Sequence, residues 1–212
     1  MKITDILNDI QQREPGILNR ESLRKAAVLL PLVEVEGETH ILFEVRSNTM
    51  RSQPGDICFP GGKVEEFDET KLATAIRETS EELGIPPTSI KDVTPLDYLV
   101  SDVAGMIYPY IGRLTNTEEF EINKFEVAEV FTVPLNYFMQ TEPERYWVNF
   151  KVEPERDFPF EWIQNGEDYD WRLRRTEELF YVYHPRRVIW GLTAKIVYHL
   201  VNVLKETTLN PR

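Results

Sequence analysis

The chain has 212 residues, 42% of them hydrophobic, and its 24 Lys and Arg against 36 Asp and Glu give a formal net charge of −12. That length and apolar content suffice for one core with extensions; the acidic balance speaks against a nucleic-acid surface, which needs a basic footprint; and a single cysteine excludes an internal disulfide. No apolar run approaches the roughly 20 residues of a membrane span, and Met1-Lys2-Ile3-Thr4-Asp5 lacks the apolar core of a signal peptide, so cytoplasmic residence without a membrane partner is expected.

Residues 1–25 are expected to form a helical N-terminal extension, interrupted at Pro15-Gly16. Ala26–Glu36 and Thr39–Arg46, rich in Val, Leu and Ile, read as a hairpin closed by Glu36-Gly37-Glu38. Cys58 sits in an apolar run with no His or second Cys near it and is expected to be a small buried hydrophobe. A helix follows, in which Asp68 can cap the start and Leu72, Ala75, Ile76, Thr79 and Leu83 form an inward stripe. Gly84 supplies a left-handed stop, and Pro86-Pro87 forbids continuation. Asp97–Ser101, Met106–Leu114 and Val127–Pro134 read as further strands. From about 140 to 187, Tyr146, Trp147, Phe150, Trp162 and Trp171 interleave with charged residues, which reads as packing for an insertion or for a homodimer contact. Ile189–Ala194 opens a final helix that reaches about Leu204, ahead of a tail over 205–212, with Trp190 as a packing anchor. Strands, a helix, more strands and a closing helix give an α+β fold, an α/β/α sandwich around a mixed sheet, with one domain over 26–204.

The chemistry concentrates on the central helix. Glu78, Glu81 and Glu82 fall at i, i+3 and i+4 on one face. Like charges so spaced cost roughly 0.2–0.5 kcal/mol per pair, and acids in a last turn oppose the macrodipole by about 0.3–1 kcal/mol. A lone Glu pair there would be a solvated helix end. Here the breach of local rules is better explained by function, because Gly61-Gly62 lets the backbone approach a ligand closely and can offer a carbonyl oxygen, while Arg77 can pair with the acids and hold them. Three hard oxygen donors converging on one point suit Mg²⁺ or Mn²⁺.

Gly61-Gly62-Lys63 followed by Arg77-Glu78-Thr79-Ser80-Glu81-Glu82-Leu83-Gly84-Ile85 resembles the Nudix hydrolase signature, G-x5-E-x7-R-E-U-x-E-E-x-G-U with U aliphatic. The loop carries one extra residue: Asp68 keeps the spacing from Gly62 and Glu69 keeps the spacing to Arg77, so the middle acid stays open between them. Upstream, Leu42 to Ser47, Arg51 and Gly55 lead into Phe59-Pro60-Gly61-Gly62. This resembles L-L-T-x-R-[SA]-x3-R-x3-G-x3-F-P-G-G, the motif of the coenzyme A diphosphatase branch. Phe43 and Glu44 replace its second Leu and its Thr, changes on a strand that are expected to alter packing or a local hydrogen bond more than chemistry. Ile189–Ala194 is similar to the I-W-G-x-T-A segment of the same branch.

The resemblance implies hydrolysis of the diphosphate of coenzyme A or its thioesters, giving 4′-phosphopantetheine or its acyl form and adenosine 3′,5′-bisphosphate. It implies Gly62, Glu78, Glu81 and Glu82 as ligands of Mg²⁺ or Mn²⁺, with Glu78 and Glu82 catalytic and Arg77 orienting the acids. Arg46 and Arg51, whose planar forks can grip phosphate oxygens, would bind substrate with Gly61 and Gly62. Such enzymes often draw a further acid from a loop before a late strand, to bind another metal or accept a proton from the attacking water; Glu126 occupies that kind of position, and Glu129 is the alternative. The aromatics over 140–187 could also stack on adenine or line a pantetheine channel. A small-molecule diphosphate would be repelled by so acidic a site unless divalent cations bridged the two. Two alternatives remain: a Nudix hydrolase of ADP-ribose, NADH or dinucleoside polyphosphates, against which the arginine motif speaks, and a non-catalytic nucleotide-sensing module, against which the intact Glu78, Glu81 and Glu82 speak.

Overall fold

Alternation along Lys25–Val35 decides the architecture. In this computed structural model, which describes residues 2–11, 13–101, 104–115 and 120–209, that run forms a strand buried on both faces. Ala27, Leu29 and Val33 point to one side and Leu30 to the other, as a period of two requires. In chain order the elements are α1 (Ile3–Gln11), β1 (Lys25–Val35), β2 (Glu38–Arg46), β3 (Ile57–Cys58), β4 (Gly61–Lys63), α2 (Lys71–Leu83), β5 (Ile90–Pro95), β6 (Leu99–Ser101) and β7 (Gly105–Leu114). Then come β8 (Val127–Pro134), α3 (Leu135–Gln140), β9 (Glu144–Phe150), β10 (Arg174–His184), β11 (Arg187–Trp190) and α4 (Gly191–Leu209).

An eight-stranded sheet runs β3-β2-β1-β7-β5, with β4 added on β1, β6 on β7 and β8 on β2. Only β1 and β7 pair in parallel among these strands, so the sheet is mixed. Ala75 and Leu83 of α2 pack on the Ala27, Leu29 and Val33 side. On the opposite side, Ile196, Val197, Leu200 and Val201 of α4 meet Leu30, Ile41 and Phe43. The expected mixed sheet between helices is therefore the observed fold. A second, antiparallel sheet β11-β10-β9 is built from the aromatic stretch, and its Leu179, Tyr181 and Ile189 join the α4 core.

Several local expectations are corrected. The N-terminal helix ends at Gln11, and residues 18–22 form turns rather than a second helical piece. Thr70, not Asp68, caps α2: its hydroxyl accepts the Ala73 N–H at 3.0 Å. The last helix begins at Gly191, after Ile189 and Trp190 have closed β11, and it runs on to Leu209; residues 210–212 of the expected tail lie outside the described residues. Trp190 stacks on Phe180 with ring centroids 5.7 Å apart. At the other end of α2, Gly84 is left-handed (φ +65°), and a Cβ there would stand 2.1 Å from the Glu121 carbonyl oxygen. Only glycine lets the 121–126 segment close on the helix end, where the Asn123 N–H donates to the Glu82 carbonyl at 2.9 Å. No helix among the described residues is long and apolar enough to cross a membrane.

Candidate active site

Carboxylates gather where α2 packs over β1 and β4 and meets the 121–126 segment. Glu82, 5% exposed, accepts the Gly61 N–H at 2.8 Å. That amide is fixed because β4 is zipped onto β1, Gly61 opposite Val28 and Gly62 opposite Ala27. A Cβ on Gly62 would lie 2.4 Å from the carboxyl carbon of Glu78, so glycine here makes room for a carboxylate. Arg77 holds the group together as its sequence position suggested. It makes a two-pronged pair with Asp68 (Nε to Oδ1 3.0 Å, Nη2 to Oδ2 3.1 Å), and also meets Glu78 at 3.0 Å and Glu81 at 3.2 Å.

The middle acid left open in the sequence is the better-placed Asp68. Its side chain is 3% exposed and accepts the Glu65 N–H and the Thr74 hydroxyl, each at 2.9 Å, whereas Glu69 is exposed. The Arg77 guanidinium, above all through its hydrogen bonds, holds the Asp68 carboxyl well below the usual range. Glu81 stands at the rim, 57% exposed. Glu126 is half-buried, accepts from Asn123 Nδ2 at 2.9 Å, and its charge is felt by Glu78 and Glu82. Glu129 instead pairs with Arg187 of β11.

The arginine loop is stitched to the same corner. Ser47 N–H donates to the Glu126 carbonyl at 2.7 Å and the Thr49 hydroxyl to the Phe125 carbonyl at 3.3 Å. Arg46 Nε donates to the Ser52 carbonyl at 3.3 Å, which braces the loop, and Arg51 is exposed on it. One acid expected to affect packing or a local hydrogen bond more than chemistry belongs to this corner: Glu44, 1% exposed on β2, acts electrostatically on Glu82. Its signal was a charge inside the apolar strand Ile41-Leu42-Phe43-Glu44-Val45. Cys58, expected as a buried hydrophobe, is half-buried and its thiol donates to Glu44 Oε1 at 3.6 Å.

Residues 23–153 match the NUDIX domain family, more than half of the chain. The chain belongs to the Nudix family. It is 38% identical over 137 residues to mouse "Peroxisomal coenzyme A diphosphatase NUDT7", a match that covers 65% of this chain and 57% of the mouse protein's length. It is 29% identical over 202 residues to "Uncharacterized Nudix hydrolase NudL" of Escherichia coli K12, covering 94% of this chain and 93% of that protein. Among solved structures, a MutT/nudix family protein from Enterococcus faecalis superposes with a TM-score of 0.50 at 15% identity, over 98% of this chain and 71% of that one, a likeness of fold.

Among the described residues no three His, Cys, Asp or Glu side chains stand as a ready-made cation cage. The donor chemistry of this Nudix corner nevertheless fits a divalent cation. Its donors are carboxylate oxygens, two of the acids (Glu44 and Glu82) are buried, and one buried carboxylate oxygen, Glu44 Oε2, has no hydrogen-bond partner among the described residues. Burial first, and then the charge each feels from its acidic neighbours, pushes the Glu82 and Glu44 carboxyls upward.

A pH prediction follows from that direction. An unfolded Glu loses its proton near pH ~4.3, while the folded protein without metal keeps these two protonated to higher pH. Above that point the folded state binds more protons, so stability falls as pH rises through neutrality. Thermal unfolding in chelator is expected to show a lower Tm at pH 8 than at pH 5.5, and millimolar Mn²⁺ at pH 8 is expected to restore it. A Tm that rises with pH in chelator would contradict the burial of these acids.

Proposed function

We propose that this Nudix protein hydrolyses the diphosphate linkage of coenzyme A or its thioesters in a Mg²⁺- or Mn²⁺-dependent reaction. The observation that carries the reading is the joining of two motifs in space: the loop bearing Arg46 and Arg51 is hydrogen-bonded to the segment bearing Glu126, beside the α2 carboxylates. The mouse relative's name as a coenzyme A diphosphatase supports the substrate class.

Glu78, Glu81 and Glu82, with the Gly62 carbonyl, would hold the cation, Arg77 would keep Glu78 and Glu81 in place, and Asp68 would keep Arg77 in place. Such an ion supplies charge neutralisation at the diphosphate and a lowered pKa for an attacking water. Glu126 is the proposed acceptor of that water's proton, with Glu78 sharing in base catalysis. Arg46 and Arg51 would grip the phosphates of the substrate. Water adds across one P–O bond of the diphosphate, leaving 4′-phosphopantetheine, or its acyl form, and adenosine 3′,5′-bisphosphate. Cytoplasmic residence is proposed too, although the mouse relative is named for the peroxisome.

Pure protein incubated with Mn²⁺ or Mg²⁺ and, separately, coenzyme A, acetyl-coenzyme A, ADP-ribose and a dinucleoside polyphosphate tests the reading, with products identified by mass. Adenosine 3′,5′-bisphosphate from coenzyme A is expected. Arg51→Ala is expected to raise KM about tenfold, the size of one charged phosphate contact. Cleavage of ADP-ribose alone would overturn the substrate, and no cleavage at all would favour a sensing module.

A further inference from the structure

Glu44 is the chain's own departure from the upstream motif, which has threonine there, and the fold gives that departure a place. Leu42, two residues earlier on β2, packs in the same cluster as Leu83 of α2, so Glu44 faces the α2 side of the sheet. There it confronts Glu82, Glu78 and Glu126, whose charges and its own act on one another. The nearby groups that favour its charged form are, first, the Cys58 thiol and then Arg46, two residues on, whose Nε is engaged with the Ser52 carbonyl.

With 1% of its surface exposed, Glu44 should have both carboxyl oxygens partnered, because a buried polar atom without a partner is costly. Oε1 has only the long contact from Cys58 Sγ at 3.6 Å, and Oε2 has no partner among the described residues. A permanently neutral acid does not account for this, since its O–H would need an acceptor and none lies within hydrogen-bond distance of Oε2 among the described residues. A hard cation in the cluster accounts for both the unpartnered oxygen and the crowding of acids.

We propose that Glu44 is an additional carboxylate of the divalent-cation site, giving it one oxygen donor and one negative charge that threonine at this position could not. The inference rests on Glu78, Glu81 and Glu82 forming that site, and it distinguishes this chain from members of the branch that keep the threonine.

The test is Mn²⁺ binding to the full chain stripped of metal and without substrate, by titration calorimetry and by the electron paramagnetic resonance signal of free Mn²⁺, for wild type, Glu44→Gln, Glu44→Thr and Glu82→Gln. Gln keeps the shape and can still accept from Cys58, so a purely structural role would survive in it. Both Glu44 variants are expected to melt at the wild-type temperature or above in chelator at pH 8, and to lose at least tenfold in Mn²⁺ affinity or one bound ion. Wild-type affinity and stoichiometry in Glu44→Gln would overturn the proposal. Glu82→Gln separates the two levels: if it alone is weakened, the cation site stands and the role of Glu44 falls, and if no variant is weakened, both fall.

Discussion

Glu82→Gln is expected to lower turnover by about 10³-fold or more while the protein stays folded. The magnitude follows from the several kcal/mol that a metal ion contributes to charge stabilisation in such reactions, since ~4 kcal/mol corresponds to a thousandfold. Retention of the fold follows from local geometry. The carboxylate accepts the Gly61 N–H at 2.8 Å, and an amide oxygen can accept the same bond, so the tie between α2 and β4 survives. Removing a buried acid whose ionised form is opposed by burial and by Glu44 is also expected to raise the Tm in chelator at pH 8. At pH 5.5, where the wild-type side chain carries its proton, little change is expected. Millimolar Mn²⁺ should then give the variant little of the stabilisation it gives the wild type. Circular dichroism melts at the two pH values and a product assay decide the matter; a variant with full activity would remove Glu82 from the machinery.

How far the sequence revealed this arrangement depends on whether a signal was local. The α2 acids, Arg77 and the Gly84 stop lie within one helix and its end, so spacing alone places them together, and β8 matches the strand expected at Val127–Pro134. The short strands β3 and β4 carry no period that two or three residues could display; they exist because Glu44 pairs with Cys58 and Ala27 with Gly62 across the sheet. Exposed along its whole length, β9 shows no alternation of buried and exposed positions. Asp68 and Thr70 are both good caps on chemical grounds, and the choice falls to Thr70 because the guanidinium of Arg77 claims Asp68. Glu126 and Glu129 are separated by Arg187, 58 residues beyond Glu129 in the chain, a partner that inspection of the turn could not suggest. Glu44 is visible as a substitution, yet only its burial on the α2 side of the sheet turns it from a packing change into a charge facing Glu82.

Replacement of Arg77 is expected to have the second large effect, through position rather than contact with the cation. One guanidinium spans Asp68, Glu78 and Glu81, and the Phe67 ring lies 5.3 Å from its central carbon. Arg77→Lys keeps the charge but offers a single ammonium in place of the fork, so it can satisfy Asp68 or the glutamates but not all three. Turnover is expected to fall about a hundredfold, the scale of a misplacement near 1 Å in a reacting site, with weaker Mn²⁺ binding and a modest loss of Tm. Arg77→Ala goes further, because it leaves the 3%-exposed Asp68 carboxylate without its cation. Its Tm is expected to drop steeply at pH 7, where Asp68 is charged. Adding Asp68→Asn to Arg77→Ala should then recover much of the lost stability, since the neutral side chain can still accept from the Glu65 N–H and the Thr74 hydroxyl, but it should recover none of the turnover. That non-additivity in stability, measured by a double-mutant cycle in Tm beside the product assay, distinguishes a buried ion pair that positions the acids from a surface pair of little consequence. If the double variant melts no higher than Arg77→Ala, the stranded charge at Asp68 is not the cause of the loss.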